Sequence, residues 1–152
     1  MSGKLRGPVT RSQSWWDVLD SGRVHWRVGF VQYLLRGLAY NVGPIDDTFG
    51  PMTEDAVRAF QEDNYLRQTG AVDDATWTQM RGVFGTVRRG DSSDAVRAVQ
   101  YALTRGHGFD LAVDGDFGPL TEQAVRSFQE SQLIRVDGAV GIQTFTHLVI
   151  IR

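Results

Sequence analysis

One stretch of this chain is written twice. Asp114-Gly115-Asp116-Phe117-Gly118-Pro119-Leu120-Thr121-Glu122-Gln123-Ala124-Val125-Arg126-Ser127-Phe128-Gln129-Glu130 restates, at most positions, Asp46-Asp47-Thr48-Phe49-Gly50-Pro51-Met52-Thr53-Glu54-Asp55-Ala56-Val57-Arg58-Ala59-Phe60-Gln61-Glu62. Phe49 and Phe117 stand 68 positions apart, and the same offset relates Gln32-Tyr33 to Gln100-Tyr101, Gly70-Ala71-Val72 to Gly138-Ala139-Val140, and Gly22 to Gly90. No insertion is needed between these matches. Two copies of a unit this long are a duplicated domain. A solenoid would need shorter units and at least three of them to bury a continuous core.

Within each copy the stretch reads as a tight turn that launches a helix. Gly115 and Gly118 permit backbone conformations that a Cβ penalises. Pro119 stands in the first turn, where a helix tolerates proline. Glu122 places negative charge near the positive end of the helix dipole. Leu120, Ala124, Val125 and Phe128 then recur at helical spacing and form one apolar face.

These residues carry a resemblance. The pattern Asp-Gly-x-Phe-Gly-Pro-x-Thr-x-x-Ala-Val-x-x-Phe-Gln, followed by Gly-x-Val-Gly-x-x-Thr-Phe and preceded by Val87-Arg88-Arg89-Gly90-Asp91-Ser92-Ser93-Asp94-Ala95-Val96, is similar to the peptidoglycan-binding-like domain family. It covers roughly residues 17 to 150, as two modules. The resemblance implies a mainly α fold of two tandem three-helix modules with little or no strand. It also implies a role beside cell-wall hydrolases or other envelope proteins. The same fold serves in the propeptides of matrix metalloproteases, but that role requires a cysteine and this chain has none.

Taken in order, residues 1–13 are polar, basic and without periodicity, and are expected to be flexible. The first module is placed at 14–82 and the second at 86–152. In the first, helices are expected over about Arg27 to Ala39, Pro51 to Asn64, and from an Asp73 cap onward with Trp77 and Met80 inward. In the second they are expected over about Ser93 to Thr104, Pro119 to Ser131 and Ile142 to Ile150. Short pairings are expected around Val72 and Val140. The connection Arg81 to Arg89 is brief and partly apolar, which predicts a fixed arrangement of the modules. Trp15 and Trp16 admit two readings: packing of an N-terminal arm on the first module, or an exposed anchor for a protein partner.

Net charge is −2 over 152 residues, which lends no support to a nucleic-acid partner. No run is long and apolar enough to insert in a membrane. The absence of cysteine removes disulfides, thiolate chemistry and cysteine-ligated zinc. No apolar segment follows Lys4, Arg6 and Arg11, so no secretory signal is read there. The family resemblance points to the cell wall or the extracellular space. A cytoplasmic or particle-associated location stays open beside it.

Candidate chemistry is sparse. Gly90-Asp91-Ser92 lacks the glycine elbow of a serine hydrolase and reads as a helix cap. A calcium loop starting at Asp114 would need glycine and glutamate where Pro119 and Val125 stand. His25, His107 and His147 have no metal-ligand spacing. The pairs Asp46-Asp47 and Asp73-Asp74 fall at turns and caps, not as separated glycosidase carboxyls. We therefore expect no catalytic residue, no metal and no cofactor. Gln61 and Gln129 are expected to tie a loop to the helix through their amides.

Any ligand groove should lie beside the repeated turn, where the loop meets the start of helix two and its free amides. The candidate ligand-binding residues are Asp114, Asp116, Phe117 and Thr121, with Asp46, Phe49 and Thr53 in the first copy. Asp47 stands where the pattern has glycine, so the second module is expected to carry most of the binding. The function expected is non-catalytic binding of peptidoglycan or a muropeptide. The alternative is a structural adaptor that uses the fold for protein–protein contacts in an intracellular or phage-like particle.

Overall fold

Asp73 and Ser93 both open helices as caps: each side chain accepts the backbone N–H three residues on, from Thr76 and Val96. In the computed structural model, which describes residues 16–149, six helices follow one another. They are α1 (Trp26–Gly37), α2 (Pro51–Asp63), α3 (Asp74–Phe84), α4 (Asp94–Tyr101), α5 (Pro119–Ser131) and α6 (Ile142–Val149). Proline opens both α2 and α5. Among the described residues there is no strand, only four isolated antiparallel bridges. Two of them, Leu19 with Val72 and Val87 with Val140, are the pairings expected around the two valines. The other two, Val24 with Thr48 and Ser92 with Asp116, are again related by 68 positions.

Three expectations need correction. The first helix stops at Gly37 because Ala39 is left-handed (φ 72°) and cannot continue it. The helix expected over Ser93 to Thr104 is α4 followed by a π-helical turn, Ala102–Gly106. The cap of α4 is Ser93. Asp91 and Ser92 act elsewhere: the Asp91 carboxylate accepts from Arg88 N, and the Ser92 hydroxyl donates to Asp116.

Trp16 is buried at 8% exposure and stacks on Trp77 with ring centroids 5.5 Å apart. The Trp77 indole donates to the Asp17 carbonyl, and the Arg81 guanidinium lies over the Trp16 ring. Trp16 is therefore a core residue, which corrects its reading as an exposed anchor. Trp15 lies outside the described residues. The arm is itself repeated: Phe84 occupies the place of Trp16, Val87 that of Leu19, and Phe84 meets Phe145 at 5.0 Å as Trp16 meets Trp77. What looked like a linker from Arg81 to Arg89 thus already belongs in part to the second copy.

The cores of the two copies join. Phe30 of α1 touches both Trp77 and Phe145, so one ring closes on the third helix of each module. Helix α1 lies along α4, with Tyr33 edge-on to Tyr101 at 5.4 Å. Polar ties seal the seam: Arg36 pairs with Asp94 at 2.8 Å, Arg27 Nε donates to the Val149 carbonyl, and Arg81 donates to the Thr146 hydroxyl. The fixed arrangement expected from the short connection is present.

Candidate functional site

A glutamine in the middle of an apolar helix face must satisfy its amide inside the protein. Gln100 of α4 is 1% exposed and does so on the turn before α5. Its Nε2 donates to Asp114 Oδ1 at 3.0 Å, to the Asp116 carbonyl at 3.1 Å and to Thr121 Oγ1 at 3.1 Å. Its Oε1 accepts from Gly115 N at 2.9 Å. Gly115 is left-handed (φ 80°), which its missing Cβ allows. Asp114 Oδ1 also accepts from Asp116 N, and these two hydrogen bonds hold its carboxyl below the usual carboxylate range. Gln32 repeats the arrangement with Asp46 Oδ1, the Thr48 carbonyl and Thr53 Oγ1, at 3.0–3.1 Å.

A second pair of glutamines behaves as expected. Gln61 and Gln129, 0% and 1% exposed, each clamp the loop before the third helix. Gln129 donates to Asp137, the Ala139 carbonyl and Thr144, and accepts from Gly138 N. Gln61 does the same with Thr69, the Ala71 carbonyl, Thr76 and Gly70 N. The Gln32 and Gln100 networks were visible in the sequence only as a repeat match. The signal that could have found them is a polar residue held in register on a buried face.

The candidate ligand residues therefore divide. Phe49, Phe117, Thr53 and Thr121 are 1–4% exposed and present no surface. Asp46 and Asp114 are exposed, yet each spends Oδ1 on closing its own turn. Asp116 is exposed and accepts from Ser92 at 2.6 Å. These residues build the turn and seat the start of the helix.

Open space lies beside them. In the second module a groove of about 210 Å³ runs between the loop Phe109–Asp110–Leu111 and the outer face of α5 at Leu120, Gln123 and Ser127. In the first, a groove of about 180 Å³ runs between Val42, Pro44 and Met52, with Asp46 and Thr48 at its edge. Leu120 and Met52, 72% and 44% exposed, occupy equivalent places at the groove walls. Gly50 and Gly118, the N-cap residues just before α2 and α5, offer no capping side chain. The first-turn amides of both helices are thus left to solvent or to a ligand.

The model of the family described as "Putative peptidoglycan binding domain" matches residues 26–80 and again 92–148. The chain belongs to this family. It is a tandem pair of cell-wall-binding modules, in agreement with the repeat and with the six helices. A zinc D-Ala-D-Ala carboxypeptidase from Streptomyces albus G is 39% identical over 82 residues, which is 52% of this chain and 30% of that protein. The match thus spans under a third of the relative's length. Two solved structures are similar over about two fifths of this chain. A peptidoglycan-binding protein from Clostridioides difficile, in complex with glutamine hydroxamate, is 35% identical over 43% of this chain and 41% of its own, with a TM-score of 0.42. A fused zinc-dependent amidase/peptidase/peptidoglycan-binding-domain protein from Clostridium acetobutylicum is 38% identical over 41% of this chain and 28% of its own, with a TM-score of 0.40.

Proposed function

We propose that this chain holds peptidoglycan without catalysis of its own, and that the second module carries most of the contact. The observation that supports this is the groove beside α5, where three polar side chains, Asp110, Gln123 and Ser127, line an otherwise apolar surface. Peptide stems and sugars offer amides, carboxylates, an amine and methyl groups, which suit a surface of this mixed kind. The residues expected as direct ligands, Asp114, Asp116, Phe117 and Thr121, act in this reading by fixing the loop and the helix start around the groove. Asp46, Phe49 and Thr53 play the same part in the first module.

Chemical-shift perturbation with a soluble muropeptide tests the reading, together with retention on purified sacculi. Shifts are expected at residues 109–127. Leu120→Glu, at an exposed position, should reduce retention while leaving the melting temperature unchanged. Shifts confined to the first module would reverse the assignment. Retention only in the presence of other wall-associated proteins, with no shifts, would favour an adaptor.

A further inference from the structure

Each groove carries one acid, differently engaged: Asp46 in the first, whose Oδ1 closes its own turn, and Asp110 in the second. Asp110 is the one charged side chain lining the groove of the second module. It is exposed, and among the described residues it forms no hydrogen bond or ion pair. The equivalent position of the first module is Val42, a core residue at 3% exposure. Around Asp110 stand Phe109 and Leu111, both half-buried, and the exposed Leu120, with the unpartnered amide of Gln123 and hydroxyl of Ser127 across the groove. A carboxylate bordered by apolar walls is complementary to a cation on an aliphatic stem. The stem covers the apolar surface while the charged head meets the acid. An anionic or purely apolar ligand would leave the carboxylate uncompensated beside it.

Peptidoglycan stems carry such a group. Their diamino acid has an aliphatic side chain that ends in an amine, protonated and free in uncrosslinked stems and acylated, hence uncharged, in crosslinked ones. Resting on the wall-binding reading above, we infer that the groove of the second module reads this free ammonium through Asp110, with Gln123 and Ser127 available to the neighbouring peptide amides. The second module would then favour uncrosslinked stems. The first has Val42 in that place, and its own acid, Asp46, is engaged at Oδ1 by Gln32 and by Thr48 N, so a weaker preference is expected there. Discrimination would arise from losing a charge partner in the acylated stem, not from a difference in fit along the groove.

The test uses the full chain, isotopically labelled, and two stem peptides that differ only in the diamino-acid side chain, free in one and N-acetylated in the other. The free-amine peptide is expected to bind about fivefold more tightly, the upper range for a partly solvated ion pair, and the preference should shrink in high salt. In Asp110→Asn the two peptides should bind alike, with shifts still centred on residues 109–127. Because Asp110 is exposed and unpartnered, its melting temperature should match the parent's. Equal binding of both peptides by the parent chain at this groove would overturn the ammonium inference and leave wall binding standing. Shifts with neither peptide would overturn wall binding at this groove, and the inference with it.

Discussion

The turn before α2 and the turn before α5 have the same backbone and different neighbours. Both are left-handed at their second residue, Asp47 (φ 64°) and Gly115 (φ 80°). In the second module Gly115 leaves room that Arg97 fills: its guanidinium donates to the Asp114 carbonyl, within the same module. In the first module the place of Arg97 is taken by Gly29. A Cβ there would press on Asp47 and stand 2.6 Å from the Tyr101 ring. The space admits the other module instead. The Tyr101 hydroxyl donates to Asp47 Oδ1 at 2.5 Å, and Arg105 pairs with Oδ2 at 3.1 Å. Burial and the Asp47 carboxylate together raise the Tyr101 pKa, so the phenol remains a donor throughout the working pH range. Where the second module has arginine and glycine, the first has glycine and aspartate, so the turn that closes within its own module in one copy forms the seam between modules in the other.

The comparison predicts that the cores respond alike and the turns do not. Phe60 and Phe128, both 1% exposed, sit at equivalent places. Truncation of either to alanine should cost about 3–5 kcal/mol in urea unfolding, the usual range for a buried phenylalanine. Costs that differ widely between the two would show that the cores are not equivalent.

Asp47→Gly restores the pattern of the second turn to the first. It removes hydrogen bonds to a charged group worth about 1.5–3 kcal/mol, adds about 0.5–1 kcal/mol for glycine's freer unfolded chain and relieves about 1 kcal/mol of left-handed strain. A net loss of about 2 kcal/mol is expected from these terms, with displaced Tyr101 ring resonances. A variant more stable than the parent would mean that the seam does not depend on Asp47.

Much of this was legible in advance, and the reason lies in what a repeat encodes. The helix starts at Pro51 and Pro119, the pairings at Val72 and Val140 and the clamps of Gln61 and Gln129 are local or internal to one copy, so two copies state each of them twice. The Asp73 cap, with Gly141 in its place in the second copy, is legible from its residue type alone. The seam is not repeated. Gly29, Asp47 and Arg105 show in the sequence only as departures from register, Tyr101 only as a match to Tyr33, and neither says what fills the gap. The candidate site was read by the same cue. Asp114, Phe117 and Thr121 stood out because they recur, and in the structure Asp114 and Thr121 tie the turn to Gln100. Asp110, on which our own proposal rests, differs between the copies and gave no such cue.

Acid should act on both copies through different groups. His107, in the second module, lies edge-on to Phe128 at 4.7 Å and donates Nε2–H to the Leu148 carbonyl at 3.0 Å. Burial lowers its pKa, against a smaller raising effect of the Leu148 carbonyl, with Arg27 adding a further lowering. His25, in the first module, caps α1 by accepting from Arg27 N, and burial with Arg27 and Arg23 lowers it too. A depressed histidine pKa means that the unfolded chain binds more protons. The stability is complete above about pH 6.5 and falls as the pH drops from there toward the folded-state value. His107→Gln should flatten part of that fall, and the remaining slope belongs to His25. Unfolding curves between pH 5 and 7.5 that keep the parent's slope in the variant would assign the whole effect to the first module.

The smallest expected effect tests whether the copies share a defect. Tyr65 and Leu133 stand just beyond the ends of α2 and α5, each with φ 58° and exposures of 96% and 92%. This is the position where a helix end favours glycine, because the left-handed conformation crowds a Cβ. The chain turns there under the same bonds in both copies: the N–H of the following residue, Leu66 or Ile134, donates to the carbonyl of Gln61 or Gln129. With side chains almost fully in solvent, little packing offsets a strain of about 1–2 kcal/mol. Glycine would remove the strain but loses about 0.5–1 kcal/mol to its freer unfolded chain. Leu133→Gly and Tyr65→Gly should therefore each stabilise by about 0.5 kcal/mol, and to the same extent. If one copy gains and the other loses, the losing side chain has a contact that burial does not reveal, and the equivalence of the two helix ends fails at that residue.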